Sequence, residues 1–178
     1  MDKALYQSAT DGNLILTVND RLSRYLLRQF DLEQQRLGLS AWLRPDILSF
    51  SAWLSRCQQT LPEIPSFLNS AQLQRVWEMI VEADVEQTGN HLLQTPQTAR
   101  RALQAHQLLV NYLADFDAGL AADDHRAFLR WRSAWTERSK KNAWHDPVEL
   151  PRLVAEAVMA GHLELPEKII LAGFDEVT

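Results

Sequence analysis

"NLILTVNDRLSRYLL", Asn13 to Leu27, is the stretch on which the fold turns. Leu14 to Val18 is a brief apolar run without helical period, the pattern of a buried strand. Asn19 or Asp20 is placed to cap a helix that follows at once, and Leu22, Leu26, Phe30 and Leu37 are spaced for one buried face of it. A strand feeding directly into a helix is the first half of a βαβ unit. The same order recurs after Pro45, which disfavours helix at Arg44: "DILSF" reads as a second short strand, and "SAWLSRCQQTL" as a second helix with Ser51 as its cap. Parallel neighbours need helical crossovers, so two β-then-α units within about 60 residues predict a parallel sheet. Upstream, "MDKALYQSATDG" is short and polar and ends in the turn signal Asp11-Gly12.

From Pro62 the character changes. Asn69 or Ser70 caps a helix whose Leu73, Val76, Trp77, Ile80 and Val81 share one face. Thr95-Pro96 starts another, as a cap with proline at the first helical position, and Leu103, Val110, Leu113 and Phe116 are expected to point inward. Asp123 or Asp124 opens a third, carrying Phe128, Trp131 and Trp135. In "WHDPVELPRLVAEAVMAG", Asp146, Pro147 and Glu149 read as N-cap, first-position proline and capping-box acid, and Gly161 ends the helix. Pro151 lacks the N–H that a second helical turn needs, so the helix kinks there or starts later. After Pro166, "KIILA" returns to the sheet as a third strand. The expected architecture is α/β: a core over residues 1–62 and 162–178 with a short parallel sheet of about three strands, and a large helical insert over 63–161.

Composition bounds the function. At 178 residues and 46% hydrophobic, the chain is long enough for one well-buried core with an insert. A net charge of −5 argues against nonspecific coating of nucleic acid, so any DNA contact must be a local basic stripe. The single Cys57 excludes an internal disulfide and a cysteine zinc cluster. No stretch approaches the roughly 18 apolar residues that cross a bilayer, and Met1 is not followed by a basic-then-apolar leader. A soluble protein without membrane partners, in a reducing compartment and hence cytoplasmic, is expected.

A phosphate loop needs glycines whose N–H groups wrap the phosphates, a lysine, and a Ser or Thr for magnesium. No G-x-x-x-x-G-K-[ST] occurs, so nucleotide hydrolysis is not expected and no cofactor is assigned. His91, His106, His125, His145 and His162 show no metal-ligand spacing. His106 lies on an apolar helix face, as a hydrogen-bonded core histidine would, and His145-Asp146 reads as a cap with a neighbour rather than a dyad. Asp175 and Glu176 at a strand tip are the type of pair that holds magnesium, yet they are also a solvated turn. Arg21, Arg24 and Arg28 recur at i, i+3, i+7, forming one stripe at the positive end of the first long helix, either a phosphate-binding surface or a solvated face. Thr17, Asn19, Ser49 and Ser51, at the strand ends, offer hydroxyl and amide donors to phosphates. Trp77, Trp131 and Trp135 sit at core spacing rather than as stacking platforms.

Taken in order, these segments resemble a known family. "ILTVNDRLSRYLL" is similar to the motif Ia segment of UvrD-type superfamily 1 helicases, and "DILSFSAWLSR" to their motif Ib, with Ser49-Phe50-Ser51 in the matching place. "FLNSAQLQRVWEMIVEA", "WHDPVEL" and "IILAGFDEVT" look like segments of AddB/RecC-like probable DNA repair proteins, which carry a PD-(D/E)XK nuclease domain at their far C-terminus. The resemblance runs from about Leu14 to Thr178. It implies a degenerate P-loop NTPase or helicase-like core without a Walker A loop, with Ala172 where the Walker B carboxylate would stand and Asp175 and Glu176 displaced along the loop. It further implies an N-terminal piece of a longer polypeptide, non-catalytic itself. The partners it implies are single-stranded DNA, the remaining domains of the same polypeptide and a UvrD-like helicase subunit. Thr17, Asn19, Arg21, Arg24, Ser49 and Ser51 are the candidate DNA-binding residues. The rival expectation is a purely structural or protein-interaction domain without DNA contact.

Overall fold

Leu14, Ile15, Leu16 and Thr17 are all buried and form strand β1 (Leu14–Thr17). A strand covered on both faces is what the centre of a parallel sheet requires. β1 pairs in parallel with β2 (Ile47–Ser49) in the register Ile15↔Ile47 to Thr17↔Ser49. On its other side runs β5 (Ile169–Ala172), also parallel, in the register Leu14↔Ile169 to Thr17↔Ala172. The protein, seen here in a computed structural model describing residues 2–63, 65–89, 94–114 and 123–175, is therefore mixed α/β with a three-stranded parallel sheet of order β2-β1-β5.

The chain divides into two units, Met1–Ile64 with Val154–Thr178, and Pro65–Leu153. In the first, α2 (Asp20–Arg36) begins directly after β1. Asn19 is its cap, the side chain accepting a hydrogen bond from the Leu22 N–H at 3.0 Å. Leu26 and Phe30 of α2 are buried with Ile15, Ile47 and Ala172 in one cluster. Leu37 does not join them: the helix stops at Arg36 and Leu37 is 62% exposed, because Gly38, at φ +77°, turns the chain away. Helix α3 (Phe50–Thr60) starts two residues earlier than the sequence suggested. Its cap is Ser49, whose Oγ accepts from the Ala52 N–H, rather than Ser51. The N-terminal segment is also more than a polar lead-in. Residues Lys3–Thr10 form α1, which buries Ala9 and sets Tyr6 against Phe30, ring centres 5.4 Å apart.

The second unit is mainly helical. α4 (Ser70–Thr88) has a complete capping box between Asn69 and Gln72 and buries Leu73, Trp77, Ile80 and Val81. α5 (Thr95–Asn111) takes Thr95 as its first residue, with Gln94 before it making no capping bond; Pro96 stands in the first turn as expected. Leu103 is buried, but Leu113 lies past the helix end, 83% exposed at φ +48°. Phe116 lies outside the described residues. α6 (Asp123–Asn142) buries Phe128, Trp131 and Trp135 against the α4 and α5 residues. A two-residue parallel pair, β3 (Ser66–Phe67) with β4 (Trp144–His145), borders these helices in sequence.

Asp146 caps a 3₁₀ turn at 147–149 through a box with Glu149, and α7 (Leu150–Met159) follows. The late start puts Pro151 in the first turn of α7, where its missing N–H leaves no bond unmade. The chain passes between the two units within α7, at Leu153 and Val154. It leaves the helix by a glycine turn in which the Gly161 N–H donates to Val158 O and the His162 N–H to Ala157 O.

Candidate nucleic-acid interface

Open parallel sheets place ligands beyond the carboxyl ends of their strands. Here that edge is formed by Thr17 and Ser49, the last residues of β1 and β2, with Ala172 beside Thr17 at the end of β5. Thr17 is 0% exposed, and its hydroxyl donates to Asn19 O at 2.9 Å and lies 3.3 Å from Leu48 O. Ser49 is 1% exposed, and its Oγ hydrogen-bonds to the Asp20 carboxylate while capping α3. Both hydroxyls are thus committed within the protein. They fix the edge rather than offer themselves to a ligand. Ser51 is exposed, its Oγ 3.2 Å from Ser49 Oγ, and Asn19 is exposed while capping α2.

Asp20 is the residue that sequence reading missed at this edge. Read only as a possible cap, it is the acceptor that binds the start of α2 to the end of β2, across 29 positions of sequence. It also sets a carboxylate among groups proposed for phosphate. Gly173 holds the third corner. At φ +77°, a Cβ there would lie 2.6 Å from Leu22 Cδ2 and 3.4 Å from Val18 Cγ1, so the turn after β5 closes tightly over the start of α2. Asp175 beyond it is exposed, and Glu176 lies outside the described residues.

The solvent face of α2 is the most distinctive surface. Arg21, Arg24 and Arg28 are exposed, and no ion-pair or hydrogen-bond partner is found for them among the described residues. At 100° per residue, Arg21, Tyr25, Arg28 and Leu32 fall within about 60° of arc, opposite Leu26 and Phe30. Arg24 stands just beside that row. Tyr25 is 54% exposed. Tyr25 stands at i+4 between Arg21 and Arg28, an aromatic between guanidinium groups that the i, i+3, i+7 arginine stripe does not by itself include. Trp77, Trp131 and Trp135 are buried, as their spacing predicted.

The histidines divide. His145 Nδ1 lies 3.3 Å from Glu149 Oε2 and does not pair with Asp146. Asp146 is fully buried, accepting from the Val148 N–H at 3.1 Å and from Gln107 Nε2 at 2.9 Å. His106 is buried as expected, at 5% exposure, yet neither ring nitrogen has a hydrogen-bond partner among the described residues. It packs instead against Trp77, at 5.4 Å, and edge-on to Trp135, at 6.1 Å. Burial pushes its imidazole below the usual pKa, against the pull of Asp146. Among the described residues, no group of three or more His, Cys, Asp or Glu side chains could hold a metal ion, and no helix is long and apolar enough to cross a membrane. No family model, curated protein or solved structure matches the chain.

Proposed function

We propose that the chain is a non-catalytic, cytoplasmic, helicase-like domain of a DNA repair or recombination nuclease-helicase subunit of the AddB/RecC type, which helps to hold single-stranded DNA and docks neighbouring domains or a UvrD-like subunit. In this reading the sheet derives from a P-loop NTPase core that lacks its phosphate loop. One observation carries the DNA role: three arginines, without a partner among the described residues, flank the exposed Tyr25 on the solvent face of α2. Guanidinium groups attract a phosphate backbone whatever its sequence, and an aromatic ring between them accepts any base. Arg21, Arg24 and Tyr25 make the direct contacts, with Asn19 and Ser51 at the adjoining edge. Thr17 and Ser49 position that edge from beneath.

The test is anisotropy of a labelled oligo-dT with the full chain. Two to three phosphate contacts give a log–log salt slope of about −2, so affinity falls roughly tenfold to twentyfold between about 50 and about 200 mM salt. Arg21→Ala with Arg24→Ala flattens the slope, whereas Tyr25→Ala costs about 1–3 kcal/mol at every salt concentration. An affinity that ignores salt, or survives all three substitutions, removes the DNA role.

A second reading, a protein-interaction domain without DNA contact, draws on β5. It is an edge strand of the sheet, and its Leu171 is 47% exposed. Open edges with apolar side chains pair readily with other chains. Under this reading Leu171→Lys abolishes self-association seen by light scattering and leaves oligonucleotide affinity unchanged.

A further inference from the structure

The second unit contains a groove of about 920 Å³ between the start of α4, one face of α5 and residues 146–148. Leu73, Leu103 and Val148 supply the larger part of its aliphatic lining, beside Ala71 and two prolines. Gln97, Arg100, Gln104, Gln107 and Asn111 line it from α5, at the i, i+3, i+7 spacing of a single helix face. Leu108, 57% exposed, stands next to that row, one turn from Gln104. A helix face usually fills a groove with packed side chains or covers it with paired charges; this one does neither.

The state of each polar group points to the occupant. Gln107 is committed to Asp146, the other charged residue of the lining, which is fully buried and satisfied. Gln74, at the α4 side, already donates its amide to a main-chain carbonyl, Pro96 O, at 3.0 Å. Gln97, Gln104 and Asn111 have no partners among the described residues, and neither does Arg100. Side-chain amides both donate and accept, as a peptide backbone does. At seven-residue intervals on a helix they recur about every 10 Å, close to the rise of three residues of extended or polyproline chain. The remaining unbalanced charge is the single guanidinium of Arg100, which matches one carboxylate. A nucleic acid would be served poorly, because the lining includes no aromatic ring and offers one cation where a phosphate chain needs several.

We propose that this groove binds an extended peptide segment of a partner protein. The amides of Gln97, Gln104 and Asn111 hold its main chain, Leu108 and the apolar lining take an aliphatic side chain, and Arg100 pairs with an acidic residue. The proposal is independent of the DNA role of α2. It is tested by selecting a phage-displayed dodecapeptide library on the full chain and measuring the enriched peptides by anisotropy. Enriched peptides that share an acidic residue near an aliphatic one are expected. Arg100→Glu should weaken them by about tenfold or more, the scale of a lost charge-assisted bond. Gln104→Ala, on an exposed position, should weaken them several-fold while the circular dichroism of both variants stays that of the parent. No enrichment, or peptides that bind parent and both variants alike, overturns the proposal. So does an oligo-dT that displaces the peptides and loses its own affinity in Arg100→Glu.

Discussion

His106 offers the sharpest test of the energetics. A neutral imidazole has one N–H donor and one acceptor, and at this site neither is partnered among the described residues. Leaving a buried polar group unsatisfied costs about 1–3 kcal/mol, so the two together cost about 2–6 kcal/mol, taken here in the lower half of that range, about 2–4 kcal/mol. Against this stand the ring contacts with Trp77 and Trp135, each worth about 0.5–1.5 kcal/mol. His106→Leu removes both polar atoms and both ring contacts, and the balance favours the variant by about 1 kcal/mol. With a urea slope of about 1–3 kcal/mol per molar, the midpoint rises by about 0.5 M at pH 7.

The pH dependence sharpens the test. The folded imidazole titrates below its unfolded value, chiefly through burial. The unfolded chain therefore takes up the proton first as pH falls below about 6.5, and stability of the parent declines until the folded pKa is passed. Above about 6.5 the two states are equally deprotonated and no slope remains. The advantage of His106→Leu must accordingly widen on acidification. Urea titrations followed by near-UV circular dichroism at a series of pH values measure it. A variant less stable than the parent at pH 7, or a difference that stays constant down to pH 5, would refute the reasoning.

Two further substitutions test the framework. Gly173→Ala forces a side chain into the left-handed region, which costs about 1–2 kcal/mol, and makes Leu22 shift as well; thermal unfolding should show the loss, and a neutral result would mean that the turn after β5 can relax. Asp84 accepts both a two-point Arg130 contact, at 2.6 and 2.8 Å, and the Trp131 indole N–H at 2.9 Å. Asp84→Ala strands the indole N–H and should cost about 2 kcal/mol in denaturant unfolding. The Arg130 hydrogen bond holds the Asp84 carboxyl below its usual pKa. Its contribution is thus whole above about pH 4 and fades as pH falls through the lowered value, so the acid limb of the parent's stability curve should be steeper than the variant's.

The alternation of strand and helix was legible because its signals are local. Leu14–Thr17 is apolar at every position, and Asn19 and Asn69 are capping types directly before periodic segments. Where the sequence misled, the deciding contact was remote or depended on backbone conformation. Ser49 and Ser51 are equally good caps by type, and Ser49 is selected because its extended backbone, ψ 154°, and its bond to Asp20 place it there. Leu37 and Leu113 continue a hydrophobic period past the point where the helix has ended. The burial of Thr17 follows from β1 being central, a fact of strand order that its composition does not encode, whereas Ser49, on the edge strand β2, is buried at 1% exposure while bonded to Asp20 and to the start of α3. For His106, the apolar face was readable, but the empty hydrogen-bond positions depend on three helices at once.

The short β3–β4 pair has a consequence for how the chain reaches its fold. β1 pairs with β2 nearby but with β5 only some 150 residues later, a closure whose entropy delays folding when the intervening chain is loose. Ser66 beside Trp144 and Phe67 beside His145 bring the entry and exit of the helical unit side by side. Once that unit has formed, it counts as a short connection rather than a long loop, and the last strand has only a local search to complete the sheet. Loosening this two-residue clasp is therefore expected to slow the closing of the sheet.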